Sequence, residues 1–257
     1  MIEAFGKSDV GRRRKLNEDS FLVDPETHLY AVCDGMGGHN AGEVASRMAI
    51  EALHSFIGKS DKEKEITWPF GLDAELSFAA NRLKTAIRLA NRKVFRAADN
   101  REDYTGMGTT VVAALVWEDE GVTRLTIGSA GDSRCYLLRG GVLRQLTQDD
   151  SWVSTAWAQG ILSADELERH PFRNVITKAV GAKDSLDIDT IEEPLQPGDV
   201  ALICSDGLHG LISDDVIRGI LGDGTAPLEE LATRLIDAAN EAGGRDNVSV
   251  VLLRHGA

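Results

Sequence analysis

Three apolar, strand-like runs of this chain each end in an aspartate that has a glycine as its neighbour. The three pairs are Asp34-Gly35, Gly131-Asp132 and Asp206-Gly207. Two more acidic motifs, Asn17-Glu18-Asp19 and Arg245-Asp246-Asn247, lie beside other strand-like runs. A strand fixes the direction of its terminal side chain, and glycine allows a close approach to the backbone at that point. The pattern therefore predicts carboxylates that converge in a folded sheet.

Converging aspartates repel one another unless a cation lies between them. A ligand set made of aspartate alone, without histidine or cysteine, favours the hard cations Mg²⁺ and Mn²⁺ over zinc. A single Asp-Gly pair is most often a simple turn, so the prediction of a metal site rests on the whole set.

A run of four cations, Arg12-Arg13-Arg14-Lys15, stands directly before Asn17. A solvated surface loop is the ordinary interpretation of such a run. The functional alternative is a phosphate site, because the planar fork of arginine can donate two parallel hydrogen bonds to a phosphate. Electrostatic fields are screened beyond about 10 Å, so a local basic cluster can outweigh an acidic chain at contact distance.

Motifs of several other enzyme classes are incomplete or absent. Gly6-Lys7-Ser8 and Gly58-Lys59-Ser60 lack the earlier glycine of a phosphate-binding loop, and residues 35–40 carry Asn40 where a dinucleotide fingerprint needs glycine. The chain contains no GxSxG, HExxH or EF-hand motif. The sequence therefore argues against an NTPase, a serine hydrolase or a zinc protease.

Composition describes a globular chain and restricts its partners. The chain has 257 residues, 42% of them hydrophobic, and a formal net charge of −13, which argues against nucleic acid or an anionic membrane as the main partner. With no linker or repeat, we expect a single domain over residues 1–257.

The start of the sequence has no signal-peptide pattern, and the longest apolar run, 111–117, is far shorter than the ~20 residues of a membrane span. Three cysteines without a CxxC pattern predict buried thiols and a cytoplasmic location.

Short β-type runs bounded by Gly, Asp or Asn dominate the chain. They cover residues 2–7, 20–23, 29–33, 109–117, 122–127, 134–138, 142–146, 200–204 and 248–253. Gly140-Gly141 predicts a tight hairpin between two of these runs. Most connections between the later strand-like runs are too short for helical crossovers, so we expect mainly antiparallel sheets with helices packed outside them. Apolar spacing predicts helices over 44–56, 76–94 and 228–239, and Ser163 with Glu166 predicts a capping box. Residues 148–181 are interpreted as a helical insertion or flap beside the main sheets.

Together these motifs resemble the metal-dependent PP2C (PPM) protein phosphatases in their compact bacterial form. The resemblance covers almost the full chain, and its motifs occur in the order of the family. They are Gly11-x-x-Arg14-x-x-Asn17-Glu18-Asp19, Asp34-Gly35-Met36-Gly37-Gly38-His39, Gly42-Glu43-x-Ala45-Ser46, Gly106-x-Gly108-Thr109-Thr110, Gly131-Asp132-Ser133-Arg134, Ser205-Asp206-Gly207-Leu208 and Asp246-Asn247. The resemblance implies an α+β fold, a four-layer α-β-β-α sandwich whose two antiparallel sheets are flanked by helices.

The resemblance also implies a set of metal ligands. Asp34 would bridge two Mn²⁺ or Mg²⁺ ions, with the Gly35 carbonyl on one ion and Asp206 and Asp246 on the other. Asp19 would act in the same site by orienting metal-bound water.

Further roles follow from the same resemblance. Asp132 would help to hold a third, weaker ion, and Arg14 would clamp the substrate phosphate. Asn247 would support its aspartate neighbour. The implied reaction is in-line attack on phosphorus by a water or hydroxide that bridges the two ions, without a phospho-enzyme.

The sequence departs from the eukaryotic pattern of the family at Met36, where those relatives carry a histidine proposed as general acid. His39 is the nearest candidate, although it is offset by three residues, and a metal-bound water is the alternative proton donor. His170, in the flap-like stretch, is interpreted as a surface residue that could touch substrate.

The function predicted on this basis is a phosphoserine/phosphothreonine protein phosphatase that reverses a bacterial Ser/Thr kinase. One alternative is a catalytically inactive phosphatase fold that binds a phosphoprotein as a regulatory module. The other is a metal-dependent phosphohydrolase that acts on small molecules.

Overall fold

Two antiparallel sheets form the centre of the molecule. The computed structural model describes residues 1–37, 41–62, 67–163, 166 and 170–256. The strands are β1 (Ile2–Asp9), β2 (Asp19–Asp24), β3 (Leu29–Met36), β4 (Gly108–Thr109), β5 (Val111–Asp119), β6 (Val122–Ala130), β7 (Arg134–Arg139), β8 (Val142–Gln145), β9 (Asp189–Pro194), β10 (Val200–Cys204) and β11 (Val248–His255). One sheet has the order β1-β11-β10-β7-β8, and the other has the order β2-β3-β5-β6-β9 with β4 paired to β3.

Helices cover the outer face of each sheet. They are α1 (Ala41–Lys62), α2 (Phe78–Asn100), α3 (Trp152–Ala158), α4 (Asp206–His209), α5 (Asp214–Leu221) and α6 (Leu228–Glu241), with a short 3₁₀ turn at Glu102–Tyr104. The long helices α1 and α2 pack on the sheet of β3 and β5, and α5 and α6 pack on the sheet of β10 and β11. The α+β sandwich predicted from the sequence is therefore confirmed.

Three hydrophobic clusters separate these four layers, and the alternation of side chains along each strand decides which cluster a residue joins. On β3, Ala31 and Cys33 face the helices, whereas Val32 faces the sheet of β10 and β11. On β10, Leu202 faces α6, whereas Ile203 faces the sheet of β3 and β5. Because the central strands are buried on both faces, they consist of continuous apolar runs without a polar side.

Most of the predicted elements are present, with differences at the ends and edges. All nine strand-like runs form strands, although the run at 109–117 is divided into β4 and β5. The edge strand β9 has the sequence Asp-Thr-Ile-Glu-Glu-Pro. It was not predicted, because its polar residues do not give the hydrophobic pattern of a strand. The short helices α4 and α5 were not predicted either, whereas α3 lies in the stretch interpreted as a helical insertion or flap.

Several local predictions can be compared with the structure. Gly140 and Gly141 have φ of +56° and +80° and join β7 to β8 in a tight hairpin, as predicted. Ser163 donates from both its backbone nitrogen and its Oγ to Glu166, at 2.8 and 2.7 Å, while most of the predicted helix lies outside the described residues. The three cysteines are buried and reduced. Among the described helices, none has the length and apolar character needed to cross a membrane.

Arg139, at the end of β7, joins the two sheets at one end of the sandwich. Its guanidinium donates to both carboxylate oxygens of Asp199, at 2.6 to 3.1 Å, and Asp199 is only 2% exposed. It also donates to Glu193 Oε1 and to the Pro194 carbonyl of β9, at 3.0 and 2.6 Å. Arg139 therefore neutralises a buried carboxylate and connects strands of opposite sheets.

We predict that Arg139→Met lowers the free energy of unfolding by about 3 kcal/mol, because the buried carboxylate of Asp199 loses its counterion. Urea denaturation followed by circular dichroism measures the change. Arg144→Met is the matched control, since Arg144 is half-exposed and pairs only with Glu193, and it should cost less than ~1 kcal/mol. Equal destabilisation by the two substitutions would contradict this account.

Candidate active site

A cleft of about 410 Å³ opens where the acidic ends of both sheets meet. It lies between β3, the loop from β6 to β7, the start of α4 and the segment before β11. Its walls contain six of the seven predicted site residues: Arg14, Asp34, Gly35, Asp132, Asp206 and Asp246. Asp19 lies behind this wall, paired with Asp34 across β2 and β3. The convergence predicted from the sequence is therefore observed.

The backbone of Asp34 is held by the Thr109-Thr110 segment. The Asp34 N–H donates to Thr110 Oγ1 at 3.0 Å, and the Asp34 carbonyl accepts from Thr110 N and Thr109 Oγ1, each at 2.8 Å. Strand β3 continues to Met36, so Asp34 lies inside the strand and not after its end. This difference from the sequence prediction arises because β4 adds a short ladder opposite Gly35 and Met36.

The glycines beside the aspartates allow two backbone segments to touch. A Cβ on Gly35 would lie 2.1 Å from the Gly42 carbonyl oxygen and 2.5 Å from the Glu18 carbonyl oxygen. A Cβ on Gly207 would lie 1.9 Å from the Asn247 carbonyl oxygen. Real atoms do not approach so closely, so both positions require glycine. The close approach is to neighbouring protein backbone, and these glycines thereby bring the acidic segments together.

Asp19 is a buried carboxylate with one oxygen unused. The residue is 8% exposed, and its Oδ2 accepts a hydrogen bond from Ser205 Oγ at 2.8 Å. Its Oδ1 is buried without a hydrogen-bond partner among the described residues. Burial raises the pKa of Asp19 to about 7, against the nearby Ser249 and Ser205 hydroxyls, which lower it. Such an orphaned acceptor is costly unless a cation, a water or a proton satisfies it.

The remaining aspartates make the cleft strongly anionic. Burial, followed by the charges of Asp19 and Asp206, raises the pKa of Asp34 well above its ordinary value. Burial and then the charge of Asp206 raise the pKa of Asp132 to about 7, and burial and then Asp246 raise the pKa of Asp206. Oxygen-only donors that repel one another fit hard divalent cations, which would relieve this repulsion.

The carboxylates are close enough to interact electrostatically but do not form a closed cage. No three His, Cys, Asp or Glu side chains in the described ranges are arranged to enclose one ion by themselves. Asp246 Oδ2 instead accepts a hydrogen bond from Arg14 Nη2 at 2.7 Å. The donor set suits a cation, although one of its carboxylates is paired with Arg14.

Arg14 lies on the wall of the cleft with its side chain 48% exposed. Besides the bond to Asp246, its Nη1 is 4.0 Å from Glu18 Oε2. The hydrogen bond with Asp246 raises the pKa of Arg14, so the guanidinium stays charged. The phosphate clamp expected from the sequence is thus at the cleft, but here it pairs with a predicted metal ligand.

Asn247 anchors the loop that carries Arg14. Its Oδ1 accepts from Glu18 N at 2.8 Å, and its Nδ2 donates to the carbonyls of Val10 and Leu16 at 3.0 and 2.9 Å. Its backbone N–H also donates to Asp246 Oδ1 at 2.9 Å. Asn247 therefore positions both its aspartate neighbour and the basic loop, and sequence reasoning had foreseen only the first role.

His209 is a positioning residue that sequence reasoning missed. It lies at the end of α4, and its Nε2 is 3.0 Å from the Asp132 carbonyl oxygen. A carbonyl can only accept, so Nε2 carries the proton. Burial lowers the pKa of His209 to about 3, which keeps the ring neutral. The only indication in the sequence that His209 lies near the site was its position three residues after Asp206.

The proton donor expected for the leaving group is not supplied by the described histidines of this cleft. Met36 lies in the cleft wall, and His39 lies outside the described residues. His170 stacks on Trp152 with ring centroids 4.8 Å apart, and it is not among the residues of the cleft wall.

Comparison with known proteins agrees with this geometry. Residues 9–250 match the family model of protein phosphatase 2C. The serine/threonine phosphatase stp of Listeria monocytogenes is 36% identical over 250 residues, which cover 96% of this chain and 93% of that protein. The serine/threonine protein phosphatase PstP of Mycobacterium tuberculosis is 38% identical over 246 residues, which cover 96% of this chain and 43% of PstP.

A solved structure is similar over the whole chain. The catalytic domain of PstP, in complex with two manganese ions, has a TM-score of 0.83 and 34% identity, covering 100% of this chain and 99% of that one. The chain belongs to the protein phosphatase 2C family. It is accordingly a metal-dependent serine/threonine protein phosphatase, which confirms the enzyme class predicted from the motifs.

We predict that, without divalent cations, the protein becomes less stable as the pH rises from 5 to 8. The pKa of Asp132 is about 7 in the folded protein against an ordinary 3.8, so the folded state binds more protons in this window. Stability then falls with rising pH, by about 3 kcal/mol for one such group. Urea denaturation in the presence of a chelator measures this slope.

Asp132→Asn should flatten the slope, whereas the exposed Asp237→Asn on α6 should leave it unchanged. Saturating Mn²⁺ should reverse the trend, because cations bind the ionised carboxylates and compete with protons. A slope that is the same for Asp132→Asn and the parent protein would contradict the assignment.

Proposed function

We propose that this chain hydrolyses phosphoserine and phosphothreonine in proteins with a pair of Mn²⁺ or Mg²⁺ ions, and opposes a Ser/Thr kinase in the cytoplasm. The observation that carries the proposal is one cleft holding four mutually repelling aspartates beside a charged arginine. The buried, reduced cysteines are compatible with a cytoplasmic location. We further propose that residues 1–257 act as a single domain, with 148–181 as a flap.

Asp34, Asp206, Asp246 and the Gly35 carbonyl are the proposed ligands of the two core ions. When bound, such a pair of ions lowers the pKa of a water to near neutrality and neutralises charge on the phosphate. Asp132, which interacts electrostatically with Asp206, is proposed to help hold a third and weaker ion.

Asp19 is proposed to orient the attacking water. Its Oδ1 is buried without a partner among the described residues, and Ser205 fixes the other oxygen at 2.8 Å. Oδ1 is therefore the oxygen left to accept a hydrogen bond from a water.

Arg14 is proposed to bind the phosphate of the substrate. Its guanidinium is charged, half-exposed and on the cleft wall, and Asp246 is its present partner. When Asp246 holds a cation instead, Arg14 becomes available to donate two hydrogen bonds to the equatorial phosphate oxygens. The P–O bond to the seryl or threonyl oxygen then breaks in line with the attacking water, and water in the cleft supplies the proton for the leaving oxygen.

The two alternative functions find less support. An inactive regulatory module would be expected to lack a core ligand, whereas Asp34, Asp206 and Asp246 all lie in the cleft. A small-molecule phosphohydrolase remains the second candidate for the same chemistry. A higher kcat/KM on phosphothreonyl peptides than on phosphorylated metabolites would exclude it.

We predict that hydrolysis of a phosphothreonyl peptide requires added Mn²⁺ or Mg²⁺ and is reduced at least ~1,000-fold by Asp206→Asn, since a core carboxylate is lost. Calorimetric titration should show fewer Mn²⁺ ions bound. Asp132→Ala is the matched comparison, and it should lower turnover while two ions still bind. Turnover in excess chelator would contradict the metal mechanism.

We also predict that Arg14→Ala raises the KM for phosphopeptides and lowers kcat/KM by about 10- to 150-fold, the effect of losing roughly 1.5–3 kcal/mol of charged hydrogen bonds. Mn²⁺ affinity should not fall, because the substitution removes a cation that competes for Asp246. Arg47→Ala, which removes an exposed arginine paired with Glu43 on α1, is the control. An unaltered KM for Arg14→Ala would exclude the phosphate contact.

A further inference from the structure

Four exposed cations are sequence neighbours of Arg14 and Asp246, two residues of the cleft wall. Arg12, Arg13 and Lys15 flank Arg14 in the chain, and Arg245 directly precedes Asp246. We call Arg12, Arg13, Lys15 and Arg245 the basic rim. Its members come from chain segments more than 200 residues apart, so the fold and not one run of sequence assembles it.

The two segments of the basic rim are packed together. The Arg12 N–H donates to the Gly244 carbonyl at 2.7 Å, and a Cβ on Gly11 would lie only 2.2 Å from the Asp246 carbonyl oxygen. Asn247 adds the hydrogen bonds to Val10 and Leu16 on either side of the run. The backbone of the rim is therefore anchored directly beside the cleft.

The rim cations form a group without an acidic partner among the described residues. Within the described ranges, no carboxylate lies within 4.0 Å of Arg12, Arg13, Lys15 or Arg245. Some arginines elsewhere on the surface, such as Arg124 and Arg234, are paired with carboxylates at 2.8 to 2.9 Å. What sets the rim apart from other unpaired cations is its place next to two residues of the cleft wall. In a chain of net charge −13, a cluster without acidic partners beside the cleft is a local positive surface in a negative field.

We propose that the basic rim binds a second anionic group of the substrate protein, so that the enzyme prefers phosphosites with acidic or phosphorylated neighbours. This proposal rests on the proposed function. With the scissile phosphate at Arg14, an extended substrate advances about 3.3 Å per residue. Arg12, Arg13 and Lys15 are one or two positions from Arg14 in the loop, so we expect them to meet side chains within about three residues of the phosphosite.

The rim favours a phosphoprotein segment over other anionic partners. A nucleic acid or an anionic membrane would present charge over a wide area and would meet the repulsion of the remaining acidic surface. A short acidic segment contacts only the rim, within the screening distance of about 10 Å.

The test compares three phosphothreonyl peptides in saturating Mn²⁺. One has neutral neighbours, one has glutamate at adjacent positions, and one carries a non-hydrolysable phosphonate analogue of phosphoserine two residues away. Each exposed ion pair contributes roughly two- to fivefold. We expect the acidic and phosphonate peptides to have about tenfold higher kcat/KM than the neutral peptide, through KM, with the preference shrinking at high salt.

The variant Arg12→Gln, Arg13→Gln, Lys15→Gln should abolish this preference and leave kcat on the neutral peptide unchanged. Lys59→Gln, Lys62→Gln, Arg96→Gln is the matched control, since it removes the same charge from exposed positions of α1 and α2 and should retain the preference. Adding Arg245→Gln to the rim variant tests the contribution of the second segment.

The outcomes separate this proposal from the function on which it rests. If the parent protein hydrolyses all three peptides equally, or if the rim variant keeps the preference, the rim proposal is wrong while the phosphatase stands. If no peptide is hydrolysed with metal present, the proposed function itself fails. A rim variant that loses binding to anionic vesicles or RNA but keeps the peptide preference would overturn the proposal in favour of those partners.

Discussion

Repulsion between aspartates that the backbone holds close together is the constraint on which this site depends. Asp34 lies inside β3, Asp206 begins α4, and each has a pKa raised by burial and by negative neighbours. Hydrogen bonds with Thr109 and Thr110 fix the backbone of Asp34 close to these negative neighbours. The unfavourable energy can instead be relieved by protons or by cations. The site is therefore prepared for divalent ions by the same hydrogen bonds that stabilise the sandwich.

The scaffold around the cleft acts mainly through side chains that bind backbone. Asn247 joins the basic loop to the segment before β11, and His209 binds the Asp132 carbonyl. Gly35 and Gly207 permit contacts that any larger residue would block. Each of these contacts connects segments distant in sequence, so the chemistry of the aspartates depends on residues that carry no charge at neutral pH.

The sequence predicted which side chains could do chemistry better than it predicted how they pair. The Asp-Gly motifs, the antiparallel sheets and the outer helices follow from local patterns that survive packing. Strand β9 was not predicted from the sequence, because an edge strand tolerates polar residues and proline. The ion pair of Arg14 with Asp246 spans 232 positions of the chain and depends on how the two sheets are packed. No periodicity or motif carries that information.

An acidic phosphatase must bring an anionic substrate to an anionic protein. The net charge of −13 repels phosphate, and the unneutralised aspartates of the cleft add to that repulsion at close range. Arg14 alone cannot offset it, because Asp246 already accepts its strongest hydrogen bond. If the aspartates hold the cations, as proposed, neutralisation has two effects: it removes local repulsion, and it frees the Arg14 guanidinium from its carboxylate. A requirement for metal in substrate binding, as well as in chemistry, follows from this charge balance.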